Sequence, residues 1–568
     1  MSASCRTLAI GVFLAAGTLA SAQQTTRVSV DSSGAEAKSG SSYAPAISAD
    51  GQIVAFYSDA SDLVAGDTNG LQVDDIFVHD QATGITELVS VDSSGVQGNA
   101  ASVWPSISAD GKVVAFASGA TNLVAGDTNG YGDVFVHDRA TGVTERVSVD
   151  STGAEGDRGG TFPSISADGQ IVAFTSRSAN LVAGDTNGFV DVFVYDRSTG
   201  ITERVSMDSS GAESNGESQG FVAISADGQI VAFYSDASDL VAGDTNGVSD
   251  VFVHDRSTGI TERVSVDSLG AEGNGDSGYS DFGASISADG QIVAFYSSAS
   301  NLVDGDTNGV YDVFIHDRST GITERVSVDS FGVEGNGGSG YGASSPPTIS
   351  ADGRFVAFYS LASNLVAGDT NGTNDVFVHD RAMGIIERVS VDSLGAEGNG
   401  AGYGSAISAN GYAVAFFSYA SNLVAGDTNG YGDVFVNERC MIDATWTNYG
   451  AGFPGTNGVP SFTALSDPVL GSNLTLDLAN SYSAFTFGLF FVGFQQTSIH
   501  SALGGDLLVL PAITTVVGLP SGGTSFTGFI PNDGALCGFE IDLQAWEADP
   551  GAAKGVSFTQ GLELVLGH

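Results

Sequence analysis

Short apolar stretches of strand length recur along most of the chain and are separated by polar turn residues. One unit of about 60 residues contains four of them, at 103–108, 113–118, 133–138 and 144–150. The stretches are rich in Val, Phe, Ile and Thr and are too short for helices, so they predict β-strands. Short turns containing Asp-Gly and Thr-Gly join the first pair and the last pair, which predicts antiparallel pairing.

The same unit occurs seven times. The motif ISADGQIVAF begins, with small changes, at positions 47, 107, 165, 224, 286, 349 and 407, and each copy is followed by GDTNG and D-(V/I)-F-(V/I). A four-stranded sheet cannot bury both of its faces alone, whereas radial stacking buries them against neighbouring sheets. The pattern therefore predicts an all-β fold, with a seven-bladed β-propeller over residues 23–440.

The two ends of the repeat array complement each other. The seventh unit stops near Arg439 without the TERVSVD-like strand that follows six of the copies, and residues 25–31, TTRVSVD, match that strand. An open array would leave an unpaired strand edge exposed. We therefore expect residues 25–31 to supply the outer strand of blade 7 and to close the ring.

The repeat resembles that of a known family. S-A-D-G-(Q/K/R)-x-(V/I)-A-F followed by D-V-F-V-x-D-R-x-T-G is similar to the TolB-type, WD-like propeller repeat, S-P-D-G-K-x-I-A-F…D-I-Y-x-x-D…T-G. This chain departs from the pattern by having Ala in place of Pro, as at Ala109, and by the longer loop that carries GDTNG. The resemblance implies a secreted bacterial propeller, and it implies protein or peptide partners only weakly, because propellers host many functions.

The N-terminus has the pattern of an export signal. Arg6 precedes an apolar stretch at 8–16, and Ala20-Ser21-Ala22 fits a cleavage site, so residues 1–22 are predicted to be removed. The mature protein is expected to be secreted, periplasmic or attached to the cell surface, without a transmembrane segment. Cys440 and Cys537 are then the remaining cysteines, and export favours a disulfide between them over two buried thiols.

The composition changes after residue 440. GDTNG and SADG disappear, and alternating apolar stretches over 441–568 predict a small antiparallel β-sandwich. This part resembles C-terminal domains appended to diverse secreted bacterial proteins, with the G-x-G-x-P-G-T-x-G-V-P opening at 450–460. The resemblance implies no active site, and both an anchoring or sorting role and a plain accessory fold stay open.

The GDTNG segments are candidate calcium loops. Each offers two Asp and one Asn around a Gly, and oxygen ligands at such spacing suit calcium. The first loop is two residues longer, with Leu71 in place of a middle acid. A turn stabilised by the Asn-Gly pair would need no metal, and both interpretations stay open. The candidate ligands are Asp67, Asn69, Asp75, Asp127, Asn129, Asp133, Asp185, Asn187, Asp191, Asp244, Asn246, Asp250, Asp306, Asn308, Asp312, Asp369, Asn371, Asp375, Asp427, Asn429 and Asp433.

Charge limits the classes of partner. The chain has 66 Asp and Glu against 19 Lys and Arg, a net charge of −47. Nucleic-acid binding is excluded, because it requires Lys and Arg to neutralise phosphates. The repeat arginines, such as Arg139 and Arg146, are expected to bond acidic residues of neighbouring strands. Five histidines share one strand position and are expected to be structural: His79, His137, His254, His316 and His379.

The up-and-down order of strands places both long loops of every unit on one face of the ring. That face is the expected binding surface, since loops carry most binding residues. We predict a monomeric, non-enzymatic binding or scaffold protein with calcium as a candidate cofactor and an extracellular protein, peptide or glycan as partner. The alternatives are a calcium-rigidified structural surface protein and a propeller enzyme acting on carbohydrate or peptide; no catalytic residues are identified.

Overall fold

Each repeat folds into four antiparallel strands that follow the apolar stretches. The structure, a computed structural model, describes residues 23–70, 73–278, 283–340, 345–439, 444–470, 472–530 and 536–567. The proposed signal at 1–22 and Cys440 lie outside these residues. The described residues divide into two compact units, the first formed by residues 25–392 and 396–439 and the second by the C-terminal residues from 444 onwards.

Seven four-stranded sheets form the first unit among the described residues, and we name them blades 1 to 7. The all-β propeller fold that the sequence predicts is confirmed. The strands are β1 (Gln24–Arg27); blade 1, β2 (Ser42–Ile47), β3 (Ile53–Ser58), β4 (Asp75–Asp80) and β5 (Ile85–Leu88); blade 2, β6 (Ser102–Ile107), β7 (Val113–Ser118), β8 (Asp133–Asp138) and β9 (Val143–Arg146); blade 3, β10 (Thr161–Ile165), β11 (Ile171–Ser176), β12 (Asp191–Asp196) and β13 (Ile201–Arg204); blade 4, β14 (Ala223–Ile224), β15 (Ile230–Ser235), β16 (Asp250–Asp255) and β17 (Ile260–Arg263); blade 5, β18 (Ala284–Ile286), β19 (Ile292–Ser297), β20 (Asp312–Asp317) and β21 (Ile322–Arg325); blade 6, β22 (Thr348–Ile349), β23 (Phe355–Ser360), β24 (Asp375–Asp380) and β25 (Ile385–Arg388); and blade 7, β26 (Gly402–Ile407), β27 (Ala413–Ser418) and β28 (Asp433–Glu438) with β1.

The core lies between the blades. We call the four strands of a blade a to d in chain order; the b and c strands are buried along almost their whole length because neighbouring blades cover both faces. In blade 2, Phe116 of strand b stands opposite Phe135 of strand c, with ring centroids 6.0 Å apart. The same pair occurs in every blade at 5.9–6.1 Å. Repetition of this pair explains why one sequence unit specifies one blade.

The N-terminal strand completes blade 7. β1 pairs with β28, so the sheet order is β1-β28-β27-β26. The Val28 N–H donates to the Val434 carbonyl at 2.9 Å, and the Ser29 hydroxyl donates to a carboxylate oxygen of Asp433 at 2.6 Å. The outer strand of the last blade therefore comes from the beginning of the chain, which removes an unpaired edge.

A ring of backbone hydrogen bonds runs through the SADG turns. Each alanine of this motif donates its N–H to the carbonyl of the alanine in the next blade at 2.9–3.0 Å, and the last donates to the first. Proline, which the TolB-type repeat has at this position, lacks an N–H and could not donate. The departure from the family pattern therefore adds a closed set of bonds between blades. The alanines are Ala49, Ala109, Ala167, Ala226, Ala288, Ala351 and Ala409.

The second unit contains two antiparallel sheets with an apolar core between them, as expected for a β-sandwich. The hairpin β32–β33 is longer than the apolar pattern predicts, because its outer half is exposed and lacks a buried stripe. Cys537 is buried and disulfide-bonded. No helix in the described part of the chain is long and apolar enough to cross a membrane. The strands are β29 (Thr445–Tyr449), β30 (Phe462–Ala464), β31 (Asn473–Leu478), β32 (Thr486–His500), β33 (Asp506–Leu519), β34 (Thr524–Phe529), β35 (Glu540–Ala548), β36 (Val556–Phe558) and β37 (Gly561–Val565).

Deleting residues 23–31 should lower the melting temperature, because it exposes β28 and removes the contacts of Arg27 and Ser29 with Asp433. A synthetic peptide of residues 23–31 should bind the truncated protein and raise its melting temperature again. Calorimetric melting curves measure both effects. Equal melting of the full and truncated proteins would contradict closure of blade 7 by this strand.

Candidate binding surface and acidic clusters of the propeller

The connections of each blade differ at its two ends. Short turns join strands a and b and strands c and d at one end, whereas the b–c and d–a connections are long and meet at the other end. We call the second end the long-loop face. Every GDTNG segment lies in a b–c loop, so all the candidate calcium ligands belong to this face.

An arginine joins the acidic residues of each loop. In blade 2, Nη1 of Arg146 lies 3.8 Å from Asp127, 3.2 Å from Asp133 and 2.7 Å from Glu155. The arginine comes from strand d, the two aspartates flank the loop, and the glutamate comes from the segment that leads to the next blade. We call this group an arginine cluster. The equivalent arginines, each within 4.0 Å of three carboxylates, are Arg27, Arg204, Arg263, Arg325 and Arg388.

The loop asparagine stabilises the turn. Asn129 donates from Nδ2 to Asp133 at 3.3 Å and to the Gly156 carbonyl at 2.9 Å. Its Oδ1 accepts the Tyr131 N–H at 2.6 Å, and Gly130 between them has a φ of +73°. The amide oxygen that a calcium ion would use therefore already accepts a backbone hydrogen bond.

Burial raises the pKa values of these aspartates. Asp133 is fully buried, and the loss of hydration raises its pKa. The Ser148 hydroxyl, which donates to it at 2.6 Å, and the nearby Arg146 lower the pKa but do not outweigh burial. In five other blades, burial and the neighbouring second Asp raise the pKa of the first Asp to about 6. These residues are Asp185, Asp244, Asp306, Asp369 and Asp427.

Blade 1 lacks the arginine. Leu88 replaces it, and Gln97 stands where the other blades have Glu. The Gln97 amide donates at 2.8 Å to Asp67 and at 2.8 Å to Asp75, so it bridges the two carboxylates. An arginine with three acids and a glutamine with two acids both carry a formal charge of −2. The loss of the cation in blade 1 is therefore matched by the loss of one anion.

Some of the clusters have the spacing that a metal ion needs. One oxygen from each of Asp127, Asp133 and Glu155 lies within 4.8 Å of the others, and the same holds for Asp369, Asp375 and Glu397. Calcium takes six to eight oxygen ligands, whereas these three oxygens already surround an arginine Nη1. The residues as folded fit a guanidinium better than calcium, and calcium binding stays a prediction.

The propeller channel has an aromatic cluster at its long-loop end. Trp104, Phe162 and Phe221 come from strand a, or the segment before it, in three consecutive blades, and their ring centroids are 4.7–5.4 Å apart. Trp104 and Phe221 line a cavity of about 360 Å³ to which the inner strands contribute. The other blades have Ala, Gly or Pro at this position, three residues before the Ile of ISADG. The cluster therefore breaks the sevenfold pattern on one side of the channel mouth.

Backbone strain accompanies the aromatic cluster. Ala44, Trp104 and Phe162 have φ values of +43°, +58° and +51°, in the left-handed region that such residues seldom adopt. All three lie at irregularities in the pairing of strand a with strand b. Strain of this kind is concentrated at functional sites in proteins. Sequence reasoning missed this site, although three large aromatic residues at one repeat position were a visible signal.

Four of the five histidines bond to a threonine of strand d, as expected for structural residues, whereas His379 faces Ile386 and its buried Nδ1 has no hydrogen-bond partner among the residues that the structure describes. Nδ1 of His137 lies 2.9 Å from the Thr144 hydroxyl, which itself donates to the Val91 carbonyl of the preceding blade at 2.5 Å. The His137 ring therefore donates from Nδ1, and burial lowers its pKa. Arg139 pairs with Glu87 of the preceding blade. These contacts hold neighbouring blades together.

Comparisons with known proteins concern the fold alone. No family model and no curated protein matches the chain. TolB from Acinetobacter baumannii is 17% identical with a TM-score of 0.33, over 62% of this chain and 64% of that one, which is less than two thirds of its length. An oligogalacturonate lyase in complex with manganese is 13% identical (TM-score 0.42), over 73% of this chain and 92% of that one. The WD40 repeats of RRP9 are 10% identical (TM-score 0.39), over 74% and 99%. These likenesses agree with the TolB-type, WD-like resemblance and say nothing about function.

Arg146→Leu should destabilise the protein by about 3–5 kcal/mol, because it leaves two buried aspartates and a partly exposed glutamate without their cation. The double variant Arg146→Leu with Glu155→Gln copies blade 1 and should recover most of the loss. Calorimetric melting in chelator compares the three proteins. If the single variant melts like the parent, or the double variant melts below the single, the arginine cluster is not a stabilising unit.

The five aspartates with raised pKa values should add stability as the pH falls from about 7 to 5, while the five buried histidines, whose pKa values burial lowers, should remove some of it. The aspartates with pKa values near 6 bind protons more readily in the folded state than in the unfolded chain, where Asp titrates near 4. Below about pH 4 the trend should reverse, since turn aspartates such as Asp150 have lowered pKa values from a Thr hydroxyl hydrogen bond. Melting curves of the parent and of Asp306→Asn isolate the aspartate effect, because the histidines are the same in both. The parent should gain melting temperature relative to the variant as the pH falls from 7 to 5; a difference that does not change with pH would contradict this account.

Proposed function

We propose that this chain is an exported, non-enzymatic binding protein that holds its ligand at the long-loop mouth of the propeller channel. The observation that carries the proposal is the aromatic cluster of Trp104, Phe162 and Phe221. Their side chains are only half-buried, although large aromatic residues are usually covered in a core. Exposed ring faces and edges suit a ligand that stacks, such as a peptide with aromatic residues or a glycan.

The surrounding structure supports a binding role for this mouth. Tyr57 extends the aromatic surface, with its ring 5.5 Å from that of Trp104, and Tyr43 lies 5.4 Å further on. The arginine clusters tie the long loops to the strands around the opening. A surface built on rigid strands binds with little loss of conformational freedom.

For calcium, we propose a weak and competitive role. An ion would have to displace a guanidinium from carboxylates that it contacts at 2.7–3.9 Å. Its affinity should therefore be no better than that of extracellular modules, with dissociation constants around 10⁻⁴ to 10⁻³ M. Arg146→Leu should increase calcium affinity in blade 2, because it frees the three oxygens while keeping their charge.

Export is proposed from two observations of different kinds. The first is the signal pattern of residues 1–22. The second is the disulfide at Cys537, since disulfides persist in oxidising compartments and are rare in the cytosol. Both favour a secreted, periplasmic or surface location, where the partner would be an extracellular peptide, protein or glycan.

Trp104 provides a direct test of the proposed site. It is the one tryptophan of the propeller repeats, the other two being Trp446 and Trp546. Defined peptides and oligosaccharides that bind should change its fluorescence emission, and Trp104→Ala should weaken their binding about tenfold or more, as for other buried aromatic contacts. Lys112→Ala, an exposed change in the short a–b turn of blade 2, is the control. Ligands that bind Trp104→Ala as well as the parent would place the function elsewhere.

A further inference from the structure

A groove between blades 2 and 3 opens on the long-loop face beside the aromatic cluster. It has a volume of about 380 Å³, the size of a small-molecule site. Val103 and Thr161, the chain neighbours of Trp104 and Phe162, belong to its lining. The groove therefore lies directly beside the aromatic cluster.

Two departures from the repeat open this groove. Strand b carries Ala117 in blade 2 and Thr175 in blade 3, whereas the five other blades have Tyr or Phe at the same position. Both small side chains line the groove. The aromatic residues that fill the corresponding space elsewhere are Tyr57, Tyr234, Tyr296, Tyr359 and Phe417.

The floor of the groove is backbone packed against backbone. The Gly160 N–H donates to the Gly132 carbonyl at 2.9 Å, and a Cβ at Gly159 would lie 1.9 Å from the same oxygen. Gly159 also has a φ of +68°. A glycine is therefore required at 159, and the close approach fixes the shape of the groove before any ligand binds.

Two arginines outside the repeat pattern line the same groove. Arg158 stands where the other repeats have Ser, Ala or Gly, and Arg177 stands where blades 1 and 4 have Asp59 and Asp236. Arg177 is held by Glu217 at 2.5 Å, and that carboxylate also accepts the Val190 N–H at 2.5 Å. Arg158 is exposed and makes no ion pair within the described residues. The groove thus adds positive charge to a protein with a net charge of −47.

We propose that this groove binds the carboxylate of a ring-bearing ligand through Arg158 and Arg177. A guanidinium recognises a carboxylate with paired hydrogen bonds, and the half-exposed ring of Tyr131 on the groove wall offers a surface for stacking. The blade boundary at which Ala117 and Thr175 replace aromatic residues is also the one with two additional arginines. The inference rests on the proposed function, since it names the chemistry that the long-loop face would recognise.

Benzoate is the probe, and benzamide is its uncharged counterpart. Ligand-observed NMR at low ionic strength should show benzoate binding to the full-length protein and at least fivefold weaker binding of benzamide. Arg158→Gln should weaken benzoate at least fivefold, as should Arg177→Gln combined with Glu217→Gln, which avoids leaving Glu217 unpaired. Lys38→Gln removes an exposed positive charge from a d–a loop outside the groove and should have no effect.

The result that would overturn the proposal is equal binding of benzoate and benzamide, no detectable binding of benzoate, or equal loss in Lys38→Gln and Arg158→Gln. Melting curves check that each variant is folded. Trp104→Ala separates this proposal from the proposed function. If Trp104→Ala still binds benzoate, and peptides and glycans bind it as well as they bind the parent, the groove proposal stands and the channel mouth is not the binding site.

Discussion

Buried carboxylates need a cation or hydrogen-bond donors, and in six of the seven blades of this propeller an arginine of the same chain provides the cation. In blade 2 the guanidinium of Arg146 joins the b–c loop, strand c and the segment that leads to blade 3. In blade 7 the arginine is Arg27, which comes from the N-terminal strand and contacts Asp427 and Asp433. The same residue therefore closes the ring and neutralises the last acidic loop. Removing one partner of such a buried ion pair lowers the free energy of unfolding by about 3–5 kcal/mol.

Blade 1 lacks the arginine and shows what the acidic loop needs in its place. Leu88 and Gln97 replace the arginine and the glutamate together, and Gln97 bridges the two remaining aspartates. A second arginine of the repeat is also replaced by glutamine in this blade. Gln81 donates to the Gly51 carbonyl, whereas in blade 2 the equivalent Arg139 donates to the Gly111 carbonyl. The blade keeps its hydrogen bonds while its cations are removed. Charge balance within a cluster, more than the identity of one residue, is what the fold preserves.

Sequence periodicity was sufficient to predict the fold, because each blade buries the same Phe pair and ends in the same turns. It also predicted arginine–acid pairing between strands, but not that Arg146 contacts Asp127 and Glu155. These two acids lie in the loops before strand c and after strand d, and only the folded blade brings them to the same guanidinium. The groove and the channel mouth were missed for another reason. Trp104, Ala117 and Arg158 are single departures from a repeat, and a repeat pattern treats departures as variation. Only the three-dimensional arrangement shows that these departures lie at one blade boundary.

The central claim is that arginine is the resident cation of the acidic loops in blades 2 to 7. A crystal structure of the parent protein grown in micromolar calcium, well below the dissociation constants of weak calcium sites, with anomalous difference maps, tests it most directly. The account predicts no anomalous peak among Asp127, Asp133 and Glu155, with the Arg146 guanidinium between them. A calcium peak at that position, with Arg146 turned out towards solvent, would contradict it.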